Sequence, residues 1–103
     1  MAANYDGQYE TVAASQTAQV IGGAGSIGDY MHSLLIIPAT TSPGAVAIKD
    51  GADTAVTVFT GGASSLSNLV PFMIPLMMKS RTGAWAVTTG ADVSAIAVGR
   101  FTA

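Results

Sequence analysis

Nowhere along this chain does an apolar pattern of period 3.6 persist for the roughly 10 to 12 residues that a helix needs. Short β-branched runs set between glycines take its place, and they restrict the chain to strands and turns. The clearest strand runs from Gly44 to Lys49, where Val46 and Ile48 alternate with alanines. A second runs from Thr54 to Phe59, with Val56 and Val58 on one face. Asp50 and Gly51 between them predict a β-hairpin with an Asp-Gly turn.

Gly83 to Asp92 repeats Gly44 to Asp53 position for position in its glycines, alanines and final aspartate, which predicts a second, similar hairpin. Trp85 and Val87 then take the inward places of Val46 and Ile48. The next strand is expected to turn Ile96 and Val98 inward, in alternation with Ala95 and Ala97. Continued alternation would carry Arg100 into the core, so a bulge at Gly99 is expected to turn Arg100 out and bring Phe101 in. Further strand segments are Glu10 to Ala14, Thr17 to Ile21, Tyr30 to Ile37 and Leu66 to Leu76. The total of about eight short strands in one small chain predicts an all-β, two-sheet sandwich that is jelly-roll-like. Pro71 and Pro75 confine their segment to a sheet edge or an irregular strand, because proline cannot donate to a central ladder.

A chain of 103 residues has room for one core. The polar start, Met1 to Gln8, reads as an N-terminal arm that orders on a neighbour, and residues 9–103 as a single sandwich domain. That start carries no secretory signal. The most apolar run, Leu69 to Met78, is about half the length of a bilayer span and is broken by two prolines, so no membrane partner is expected. The cations Lys49, Lys79, Arg81 and Arg100 form no basic run, and nucleic acid is not an expected partner either. Only 10% of the residues are charged while 50% are hydrophobic, against about 25% charged in a usual soluble domain. A surface so poor in charge is expected to be covered by other protein.

Motifs with chemical meaning are few. Gly23, Gly25 and Gly28 fit the G-x-G-x-x-G dinucleotide fingerprint, with Asp50 further along as a ribose acid. The segment after Gly28 nevertheless has no helical face to bring a dipole to a pyrophosphate, and a glycine-rich loop between strands is expected instead. His32 is the only histidine and lies in a strand-like segment, which excludes a histidine metal cluster. No G-x-S-x-G elbow supports a triad built on it. Asp50 and Asp53 supply too few oxygens for calcium, and aspartates at Asp53 and Asp92 fit turn chemistry. No catalytic residue, metal, cofactor or small-molecule substrate is expected. Met73, Met77 and Met78 are expected by default to fill irregular gaps in the core; with Phe72 they are also the candidate interface, because flexible thioethers suit adaptable contacts equally well and alternation must turn one of Met77 and Met78 outward.

The stretches Ala39 to Val46, Ile48 to Gly51, Asn68 to Phe72, Gly83 to Ala91 and Ile96 to Phe101 resemble a family of small structural proteins of tailed bacteriophages, over most of the chain from Tyr9 onward. The shared positions are glycines, prolines and core residues, which specify a fold better than an activity. Within that family the chain looks like a capsid decoration or cement protein. The resemblance implies a non-enzymatic homotrimer that binds the major capsid protein on the outside of the virion shell, assembled in the host bacterial cytoplasm, and stabilises capsomer contacts. A tail or fibre module binding a host surface glycan is the alternative. It needs exposed aromatics grouped at one end, for which Tyr5, Tyr9 and Tyr30 are available.

Overall fold

The structure, a computed structural model, describes residues 8–23 and 25–102. The chain forms eight strands and no helix among these residues: β1 Gln8–Val12, β2 Gln19–Val20, β3 Tyr30–Pro38, β4 Val46–Asp50, β5 Val56–Phe59, β6 Phe72–Lys79, β7 Trp85–Thr89 and β8 Val93–Arg100. They make two antiparallel four-stranded sheets, ordered β1-β8-β3-β6 and β2-β7-β4-β5. Every connection except β4 to β5 passes from one sheet to the other, which is the connectivity of a jelly roll. The expected all-β sandwich is therefore the fold. The arm expected over Met1 to Gln8 lies outside the described residues, except that Gln8 itself opens β1 and its side-chain oxygen accepts from the Phe101 N–H at 2.7 Å.

Between the sheets lies one apolar core of Val12, Ile21, Met31, Leu34, Ile36, Val46, Ile48, Trp85, Val87, Val93, Ala95, Ala97 and Phe101. Trp85 and Val87 occupy the inward places that the repeat predicts. The second hairpin does not form. β7 and β8 belong to opposite sheets, and the turn at Asp92 carries the chain across the sandwich. The repeated segments pair with each other instead: β4 runs antiparallel to β7, with Ile48 opposite its equivalent Val87 at the centre. The recurring glycines meet at the two ends of this ladder. A Cβ on Gly90 would lie 2.8 Å from the Gly44 Cα, and one on Gly83 would lie 2.9 Å from the Gly51 Cα. Side chains at these crossings would force the backbones apart, which gives the repeat its glycines.

β8 has the opposite phase from the one expected. Val93, Ala95, Ala97 and Gly99 are buried, whereas Ile96 and Val98 stand half-buried on the outer face and Arg100 is exposed. Small inward side chains leave room in the same core for Trp85, Met31 and Leu34, and total core volume decides the matter over the size of any one residue. No bulge at Gly99 is needed to turn Arg100 out. The bulge lies across the ladder in β3, where the register passes from Met31 opposite Gly99 to Ser33 opposite Val98 and leaves His32 as the extra residue. Gly99 serves that bulge, since a Cβ there would lie 1.9 Å from the Tyr30 carbonyl oxygen. The strand expected over Leu66 to Leu76 is shorter and later, beginning only at Phe72.

Candidate interaction surface

The two flanks of the sandwich are built differently. On one, Glu10 of β1 accepts from the Gln19 side-chain amide at 2.8 Å and from the Gly22 N–H at 2.7 Å, which ties β1 to β2 and the turn after it. On the other, β5 and β6 are the edge strands of opposite sheets, and among the described residues no hydrogen bond joins them. Phe59 and Phe72 meet edge to face at 5.3 Å and close that flank at one end. Toward the other end it opens into a cleft of about 390 Å³ walled by Ile48, Val56, Val58, Leu76, Met78 and Trp85, with Asp50, Asp53 and Thr54 as its polar members.

From Thr54 through Met78, comprising β5, a long loop and all of β6 but its last residue, Lys79, the chain carries no charged residue, and none of these residues is buried. Among the exposed large apolar side chains, Val56, Leu69, Val70, Met73, Met77 and Met78 all come from this stretch, whereas Tyr9, Val20 and Ile27 lie elsewhere. Scattered exposed apolar residues are ordinary, whereas a run of them from one stretch of chain is the kind of patch that a contact would cover. Pro75 sits in the middle of β6 without a backbone donor, and Met77 has a left-handed φ of 54°. Both features work against a continuous ladder that another strand could extend from this edge.

The four candidate interface residues are divided by the strand geometry. Phe72 turns inward and packs on the core, and Met78 turns into the cleft. Met73 stands outward in register with Leu35 of β3, which is itself in register with Ile96 of β8, and these three form an apolar row across the outer sheet face. Met77 is 61% exposed. The structure adds Val56 of β5 and Leu69 and Val70 of the loop before β6 to the exposed apolar residues, and the unbroken lack of charge from Thr54 to Met78 is the sequence signal that locates them.

Two carboxylates, Asp50 and Asp29, are held by several structural partners. Asp50 accepts from the Arg81 and Thr82 N–H groups at 2.8 and 3.1 Å, from the Gly83 N–H at 3.3 Å and from the Thr82 hydroxyl, and so fixes the β6–β7 turn to the end of β4. Burial acts to raise its pKa, but these hydrogen bonds outweigh burial and hold it below the ordinary carboxylate value. Asp29 is held low in the same way: burial opposes its charge, and hydrogen bonds from the N–H and hydroxyl groups of Thr102 and Ser26 more than compensate. Residues 25–28 of the glycine-rich segment run as a loop into β3, with the Gly28 N–H donating to Ser80. His32 is exposed beside Tyr30, its Nδ1 at 3.0 Å from the Ser33 hydroxyl. No protein-family model matches the chain, nor does any curated protein or any solved structure.

Proposed function

We propose that this chain is a structural virion protein, a capsid decoration or cement protein that binds the outside of a major capsid shell as a trimer and stabilises capsomer contacts. The observation that supports this reading best is the uncharged, unburied flank from Thr54 to Met78. At about 25 cal/mol per Å² of apolar surface removed from water, many symmetry-related contacts of this kind sum to a large stabilisation without any one being tight. Binding of this sort needs no reacting group. The glycan-binding alternative has less support, because Tyr9 lies on β1 and the half-buried Tyr30 on β3, with β8 between them.

Co-sedimentation of the purified chain with undecorated shells tests the proposal, with electron microscopy to locate the added density. Val56 and Met77 are 58% and 61% exposed, so Val56→Glu and Met77→Glu should change folding stability by no more than about 0.5 kcal/mol. Each should weaken attachment by about tenfold or more. Attachment unchanged in both variants, or density confined to the tail, would sink the reading.

A further inference from the structure

We propose that the outer face of the β1-β8-β3-β6 sheet packs on the same face of a second copy of this chain, about a two-fold axis that crosses the strands along the row of Ile96 and Leu35. This goes beyond the attachment of the chain to a shell and does not rest on it, because the contact leaves Val56 and the β5–β6 cleft free. The residue pattern of the two central strands carries the inference. β3 contains the run Leu34-Leu35-Ile36-Ile37, and β8 the run Ala95-Ile96-Ala97-Val98, with no polar residue in either. A strand with one wet face alternates apolar with polar, whereas an unbroken apolar run is the pattern of a strand covered on both faces. The core of the sandwich covers one face only: it buries Leu34, Ile36, Ala95 and Ala97, while Leu35, Ile37, Ile96 and Val98 point away from it. In β8 the larger side chains are the outer ones. Tyr9 of β1 and Met73 of β6 extend this face in register, and from the row of Tyr9 and Val98 to that of Ile37 and Ser94 no outward residue of the four strands is charged. The other sheet differs, for it turns Ala47, Lys49 and Thr57 outward.

A second copy suits this face because an uncharged surface meets itself with no like charges opposed, and sheet packed on sheet is how the fold already builds its core. Four strands about 4.8 Å apart and about 20 Å long give each copy about 400 Å² of face in plan. Side chains standing up from it raise the accessible area, so that two copies remove about 1,000 Å² from water, enough for a specific but weak dimer. Charge at the ends of the face sets the direction of the axis. Arg100, Tyr30 and Lys79 form the row at one end. An axis along the strands would lay these cations on their own copies. An axis across the strands sends each cationic row to the far end of the partner, where the exposed Asp92 stands as far before Ile96 as Arg100 stands after it. The contact is two-fold and is distinct from the threefold grouping proposed for the virion.

The test is self-association of the full chain, read by analytical ultracentrifugation. The native chain should dimerise with a dissociation constant in about the micromolar range. Ile96→Glu sets two carboxylates together at the axis and Ile96→Lys two ammonium groups, and each should raise that constant by about tenfold or more. An equimolar mixture of the two variants sets carboxylate against ammonium and should return to within about threefold of the native value. Tyr9→Glu alters the same face at a side chain that is 73% exposed, where folding is not at risk, and should raise the constant by about threefold or more. Val56→Glu and Thr57→Glu, both on the other sheet, should leave it unchanged. Circular dichroism matching the native chain shows that each variant is folded. A native chain that stays monomeric or forms trimers alone, or a mixture that associates no better than either variant, overturns the proposal. So does an Ile96→Glu chain that associates as the native one does but no longer sediments with shells, which would give this face to the shell. Shell binding of the native chain is scored separately: dimers that do not attach to shells uphold this contact and remove the virion reading.

Discussion

Trp85 shows how much one side chain holds in so small a core. Its ring is 4% exposed, and its Nε1–H donates to the Asp29 carbonyl oxygen at 2.9 Å. Trp85→Ala should cost about 3–5 kcal/mol in urea denaturation, from lost burial and the cavity left behind. Trp85→Phe keeps most of the packing and removes one of the two donors to that carbonyl, which retains the Ser80 N–H at 2.9 Å, so the loss should be only about 0.5–1.5 kcal/mol. Equal stabilities for the alanine variant and the native chain would show that the ring is not in the core. The inward placement of Trp85 was legible from the repeat, because Val46 occupies the same place in the other copy. The role of Asp29 was not, since its partner Thr102 lies 73 positions away and only folding brings the two together.

At the scale of elements, alternation along a strand gives two faces but does not label them. In β8 the choice falls to the alanines because Trp85, Met31 and Leu34 already fill the space they face. The expectation that the larger Ile96 and Val98 point inward failed for that reason. Gly99 was rightly marked as special, but the irregularity it serves belongs to β3. Gly99→Ala should destabilise by about 3 kcal/mol, since the added methyl would fall 1.9 Å from the Tyr30 carbonyl oxygen and the bulge must shift to admit it. Thermal melting would measure this, and an unchanged midpoint would place the close approach elsewhere. The hairpin misreading has the same origin: similar sequences form similar strands, yet whether the next strand turns back or crosses to the other sheet depends on where a place is open, and for β8 that place lies between β1 and β3.

At the scale of the molecule, two carboxylates clamp connections that ordinary strand pairing leaves loose. Asp29 holds the loop before β3 to the C-terminal residues, and Asp50 holds the β6–β7 turn. Both folded-state pKa values lie below the ordinary carboxylate value of 3.8 that the unfolded chain takes. Their contribution to stability is therefore complete above about pH 5 and is lost as pH falls through the lowered folded values. Urea midpoints measured from pH 6 down to pH 2 should fall across the acid end, and Asp29→Asn should show a lower midpoint at pH 6 with a weaker fall. An equal slope in that variant would assign the acid sensitivity to other groups. The class of fold and the approximate strands were determined by the sequence itself, through β-branched alternation, glycine punctuation and the absence of a helical period, because these are local properties of the backbone. Its poverty of charge also determined that some surface should be apolar. Which surface was decided only by the tertiary structure, because strand order alone places β5 and β6 on one flank and opens the cleft between them.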